Sequence, residues 1–165
     1  MSGPRAEPPQ PRVDGDLGPF FDLSVDPMAV ADLGGRFLRV NPAFTRVVGW
    51  SEAELLARPY LAFVHPDDVA ATAAASAELV AGRRVRGFEN RYRHKDGSWR
   101  WLAWDTVVAD GVVYAVARDV TEPKRTEAAL RAQADLLGAV VAAQAEVAAA
   151  RPDPEAVMRL VADRA

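Results

Sequence analysis

The stretch Asn90-Arg91-Tyr92-Arg93-His94-Lys95-Asp96-Gly97-Ser98-Trp99-Arg100-Trp101-Leu102-Ala103-Trp104-Asp105-Thr106 decides the fold. Its centre, His94 to Ser98, is a reversal, because Asp-Gly supplies the positive φ that a close turn between twisted strands requires. Upstream, Phe88, Asn90 and Tyr92 alternate with Glu89, Arg91 and Arg93. Downstream, Trp99, Trp101, Ala103 and Asp105 alternate with Arg100, Leu102, Trp104 and Thr106, and both runs have the strand period of two. A second Asp-Gly, Asp110-Gly111, leads into Val112–Ala117, whose branched and aromatic content predicts a third strand. Arg118-Asp119-Val120-Thr121-Glu122 then ends the sheet, and a helical pattern begins.

Around this meander the chain reads in short steps. Residues 1–19 carry five of the twelve prolines, and residues 1–16 read as a disordered leader. Leu17 to Ser24 predicts a helical turn or two whose Phe20, Phe21 and Leu23 need a surface to cover. That surface is either the protein's own core or a partner. Met28–Ala31 and Arg36–Val40 form a hairpin across Asp32-Leu33-Gly34-Gly35. After Pro42, Phe44, Val47 and Val48 make a short amphipathic helix ended by Gly49. Ser51 and Glu54 form a capping box for the next helix. Pro66, with Asp67 and Asp68 in the first turn complementing the helix dipole, launches a helix through Val80 that Gly82 closes. This helix is alanine-rich, which helix propensity alone explains. Small side chains would also leave room behind it.

From Glu122 onward, Leu130, Ala134, Leu137, Val141, Gln144 and Ala148 recur at spacings of four and three. This is a heptad seam with Leu130 and Leu137 at d and Ala134, Val141 and Ala148 at a. It predicts an exit helix over residues 123–150, either a coiled coil or an amphipathic helix folded back on the sheet. Arg151-Pro152-Asp153-Pro154 stops it, and Asp153 caps a further helix with Pro154 at its first position, so residues 151–165 read as a linker and the start of that helix.

Composition removes several function classes. Half the residues are apolar and 26% are charged, which permits a globular core. No apolar run approaches the ~20 residues of a membrane span, and no signal peptide opens the chain. Cysteine is absent, so disulfides, thiolate metal sites and thiol nucleophiles are excluded together. A net charge of −3 gives no electrostatic case for nucleic acid. The two histidines, His65 and His94, stand at a helix start and a hairpin mouth, and no serine sits in an elbow motif, so no hydrolytic triad can be assembled. No phosphate loop or dinucleotide fingerprint is present. The expectation is a cytoplasmic protein without catalytic activity in this chain.

The Lys95-Asp96-Gly97-Ser98 turn, Trp101 beyond it and Asp119-Val120-Thr121 resemble the C-terminal half of a PAS domain. The first half agrees through Asp32–Arg36, Val40–Phe44, the Gly49-Trp50-Ser51 step with Glu54-Leu55, and Phe63-Val64-His65-Pro66-Asp67-Asp68. The resemblance spans residues 18–122, with the domain set at 17–122. It implies an α+β fold: a five-stranded antiparallel sheet in the order 2-1-5-4-3, helices on one face and a long C-terminal helix. It also implies a sensor or dimerisation module, and a Glu54–Lys95 pair over the pocket mouth. Residues 154–165 resemble the first helix of a GAF domain, and the resemblance implies the expectation that the chain is the front of a longer signalling protein with an output domain beyond.

The same resemblance sets the strand faces. Phe88, Asn90 and Tyr92, with Leu102, Trp104 and Thr106 and with Val113, Ala115 and Ala117, should point inward as the candidate ligand-binding set. A buried Asn90 must then bond either a backbone group or a ligand. Trp99, Trp101, Ala103 and Asp105 should face away. Phe20, Phe21, Trp99, Trp101, Leu130, Leu137 and Val141 are the candidate homodimerisation residues. Haem is argued against because the long helix holds no His, Met, Cys or Tyr. Flavin is argued against because Tyr60 stands where light-oxygen-voltage relatives carry the adduct cysteine. No metal ligand set is expected. What remains is a pocket for a small uncharged organic ligand, since no inward Arg or Lys would neutralise a carboxylate, or a filled core in a pure dimerisation module.

Overall fold

The Asp96-Gly97 reversal forms as the sequence requires. Gly97 takes φ +91°, and the His94 amide donates to the Ser98 carbonyl at 2.8 Å. In this computed structural model residues 18–149 are described. The proline-rich leader and the Asp153-capped segment therefore lie outside the described residues. The turn joins β3 (Val85–Arg93) to β4 (Trp99–Ala109), and β5 (Val112–Asp119) follows across Asp110-Gly111. The first hairpin supplies β1 (Met28–Asp32) and β2 (Phe37–Val40). All pair antiparallel in the order β2-β1-β5-β4-β3.

Register fixes which side chains share a face. Asn90 faces Leu102 across β3 and β4, Thr106 faces Ala115 across β4 and β5, and Ala29 faces Ala115 across β1 and β5. On the inner face lie α2 (Pro42–Val48), α3 (Glu52–Leu56), 3-10 turns at Tyr60–Phe63 and Pro66–Asp68, and α4 (Val69–Val80). Phe44, Val48, Leu55 and Phe63 of these segments pack on Leu102, Tyr92 and Trp104, and this is the main core. Each such large side chain withdrawn from water contributes about 1.5–3 kcal/mol before entropy is counted.

The helix boundaries follow from their caps. Asn41 accepts the Phe44 amide at 2.9 Å and Gly49 ends α2 at φ +73°. Ser51 and Glu54 complete the capping box of α3. At the start of α4 the expected roles change. His65 Nδ1 accepts the Asp67 amide at 3.2 Å, while Asp68 makes no cap bond and reaches Arg91 instead.

The leading helix α1 (Gly18–Leu23) covers the opposite, outer face of the sheet. Phe21 is buried there against Val30 and Val112, so it is not a partner-facing residue; Phe20 is exposed. Asn41 ties α1 down: its Nδ2 donates to Phe21 O at 3.1 Å and Asp26 O at 2.9 Å, and its Oδ1 also accepts the Met28 amide. The tryptophans expected to form a bare outer patch are only half-exposed. His65 packs edge-on to Trp99 at 4.4 Å, and the Arg91 guanidinium lies 5.2 Å from the Trp101 ring centre.

Chain contacts divide between Glu122 and Pro123. The helix that crosses this point, α5 (Thr121–Ala149), exposes Leu130, Leu136, Leu137, Val140 and Val141. No helix of the described residues is long and apolar enough to cross a membrane.

Candidate functional site

Between α4 and the inner face of the sheet lies a cavity of about 70 Å³. From β3 it is bordered by Val85, Phe88, Asn90 and Tyr92, from β4 by Trp104 and Thr106, and from β5 by Val113 and Ala115. Ala29, Ala31 and Phe37 close it from β1 and β2, and Tyr60 and α4 from the helical side. Of the nine candidate ligand residues, two are not on this wall. Leu102 and Ala117 are sealed in the core, Ala117 as the cross-strand partner of Trp104. They sit nearer the Asp119 end of the sheet, where Phe44 and Val48 fill the space.

The α4 wall differs from expectation. Ala70, Ala71, Ala73, Ala74 and Ala77 face solvent, and of the helix alanines Ala75 alone borders the cavity. The inward positions are Thr72, Ala75, Ser76 and Leu79, the three-and-four spacing of one helix face. Thr72 and Ser76 were not anticipated. Their signal was available, since they are the hydroxyl-bearing interruptions of an alanine run, but an alanine helix has too weak an apolar stripe to show its facing.

These polar groups are bonded to one another. Asn90 Nδ2 donates to Thr72 Oγ1 at 3.0 Å, and Asn90 Oδ1 accepts from Trp104 Nε1 at 2.8 Å. Asn90 thus binds two side chains, one from α4 and one from β4, rather than a backbone group. Thr72 Oγ1 in turn donates to the Asp68 carbonyl at 2.7 Å, and Ser76 Oγ to the Thr72 carbonyl at 2.8 Å. With that hydrogen used, Ser76 Oγ accepts the Tyr60 hydroxyl, also at 2.8 Å. No charged side chain is among the residues bordering the cavity.

Beyond the wall, Asp68 receives Arg91 through both carboxylate oxygens, at 2.8 Å from Nε and 2.6 Å from Nη2, and also accepts the Arg91 amide at 2.8 Å. Hydrogen bonds from Arg91 hold its carboxyl below the usual range. Arg91 lies over Trp101, whose amide donates to Thr121 Oγ1 and whose carbonyl accepts the Val120 amide, both at 2.9 Å. Thr121 is the first residue of α5 and is buried. At the other side of the helical layer, Lys95 Nζ bridges both Glu54 oxygens at 2.8 and 3.0 Å. No group of three or more His, Cys, Asp or Glu that could hold a metal occurs among the described residues.

A mixed helical layer over this sheet, with a cavity between the two, is the architecture of a class of sensory modules. Residues 37–117 match the PAS_3 family, described as a PAS fold, and the chain carries a PAS domain there. A stretch of 76 residues is 41% identical to the C4-dicarboxylate transport sensor protein DctS of Rhodobacter capsulatus, covering 43% of this chain and 11% of that protein. A domain of a sensory box sensor histidine kinase/response regulator from Geobacter sulfurreducens is similar at TM-score 0.56 and 27% identity, over 61% of this chain and 88% of that one. The PAS domain of an HTR-like protein from Haloarcula marismortui gives TM-score 0.53 and 26% identity, over 61% and 85%. PAS domains are sensory rather than catalytic modules.

Proposed function

We propose that this chain is the sensor module of a multidomain signalling protein, that its cavity takes a small uncharged organic molecule, and that occupancy is passed to α5. The observation carrying this reading is the unbroken line of contacts from the cavity wall to the exit helix. It runs from Asn90 to Thr72, Asp68, Arg91 and Trp101, and ends on Thr121. Every link is a hydrogen bond or a ring contact, so a shift of α4 over the cavity changes the seat of the first α5 residue. A C4-dicarboxylate, the compound for which the Rhodobacter capsulatus relative is named, would find no cation on this wall, which favours an uncharged molecule here. Haem and flavin are disfavoured by the residues themselves: Val69–Val80 offers no axial ligand, and Tyr60 is bonded to Ser76 where a photoadduct needs a cysteine. The following domain, read as GAF, and a cytoplasmic setting belong to the same proposal.

A second reading is favoured by α5 itself. Leu130, Leu137 and Val141 stand exposed on a long helix with a heptad pattern. A parallel homodimer through this seam would bury them, with or without a ligand. Native mass spectrometry before and after denaturation separates the two readings. A sensor carries a noncovalent mass that denaturation releases. A dimer of bare chains, unchanged by candidate ligands, supports the dimerisation module alone.

A further inference from the structure

Six side chains with hydrogen-bonding groups border the cavity: Tyr60, Thr72, Ser76, Asn90, Tyr92 and Thr106, apart from the bonded Trp104 indole. The first four are engaged with each other or with backbone carbonyls, as described above. Tyr92 and Thr106 have no side-chain hydrogen bond among the described residues. Thr106, on β4, borders both the cavity and the groove beside Phe20 and Val107. Tyr92 is 3% exposed, and Phe44 and Trp104 fix its ring at centroid distances of 6.1 and 5.4 Å. Ser98 Oγ is the one side-chain polar atom among the described residues that is both sealed and unpartnered. The Tyr92 hydroxyl therefore meets accessible space, and the space its side chain borders is the cavity.

We infer that the Tyr92 hydroxyl is the recognition donor of the cavity, and that the ligand is a small neutral molecule carrying a hydrogen-bond acceptor such as a carbonyl or ether oxygen. This rests on the ligand-binding reading above. The hydroxyl hydrogens of Tyr60, Thr72 and Ser76 are already spent, which leaves Tyr92, its ring fixed by Phe44 and Trp104, as the hydroxyl donor that β3 offers an incoming acceptor. Burial, with Tyr60 adding to it, pushes the phenol above its ordinary range, which keeps it a neutral donor at physiological pH. A ligand anion would have no counter-charge on this wall. At about 70 Å³ the cavity is well below the roughly 300–1,000 Å³ of drug-sized pockets and suits a small molecule.

The test uses the full chain, isotopically labelled, with acetone and isobutene as probes of one shape with and without an acceptor. Saturable shifts of the Trp104 indole N–H resonance report entry. Acetone affinity should fall about three- to tenfold in Tyr92→Phe, the worth of one net hydrogen bond, while isobutene binds both proteins alike. Because the hydroxyl has no protein partner, Tyr92→Phe should melt at or above the wild-type temperature. Equal acetone affinity in both proteins, or a melting temperature several degrees lower, overturns the role of Tyr92 and leaves the ligand reading standing. If neither probe shifts any cavity resonance, the cavity is not a binding site, and the inference falls together with the reading it rests on.

Discussion

At the scale of single residues, buried polar side chains determine how the layers meet. Asn90 joins β3 to β4 through the Trp104 indole and to α4 through Thr72. Replacing it with leucine removes the acceptor and strands a buried indole N–H. Denaturant unfolding should show a loss of about 1–3 kcal/mol, partly recovered when Trp104→Phe is added, because removing both partners costs less than removing one. Glu54 is a surface case with a sharper signature. Hydrogen bonds from Lys95, then from Ser51, lower its carboxyl from 4.5 to about 2. A depressed carboxylate contributes stability that is fully present above the unfolded value, so α3 docking should weaken only as pH falls from about 4.5 toward 2. Carboxyl titration by NMR should place the Glu54 midpoint near 2, and Lys95→Met should raise it toward the ordinary value. A midpoint that ignores Lys95 would mean the bridge is not populated in solution.

At the scale of elements, α2 meets the hairpin where there is no room for a side chain. A Cβ on Gly49 would lie 2.7 Å from His94 Nε2, at φ +73°. Gly49→Ala should destabilise by about 2 kcal/mol or more, from left-handed strain plus the clash, and relief by His94→Ala in a double-mutant cycle would locate the contact. Elements with strong local chemistry were legible in the sequence. The two Asp-Gly turns, the capping box and the period-two alternation name their own conformations, and the sheet followed from them. Facing was legible on strands, where period two leaves two options, and largely illegible on α4, where Ala73, Ala74 and Ala77 look the same as Ala75. The exposure of the aromatic residues was illegible for another reason. Whether Trp99, Trp101 and Phe21 are bare depends on His65, Arg91 and Val30, which are distant in sequence and reach them only through the fold.

At the scale of the molecule, two expectations concern association and signalling. The exposed seam of α5 predicts pairing, so Leu137→Asp with Val141→Asp should put unpaired charge into it. Sedimentation should then show dissociation of a wild-type dimer. A wild-type monomer at high micromolar concentration, or a dimer indifferent to the pair of substitutions, would remove the seam as the joining surface. The central claim, that the cavity is coupled to the exit helix through Arg91, is tested most directly by hydrogen exchange at the Val120 and Thr121 amides. Ala115→Leu adds three carbons to the cavity wall and stands in for occupancy. It should change exchange at these amides by roughly fivefold or more, the scale of ordinary coupling energies, and in an Arg91→Met background that change should disappear. Exchange at Val120 and Thr121 that is indifferent to Ala115→Leu, or that responds equally with and without Arg91, would contradict the account.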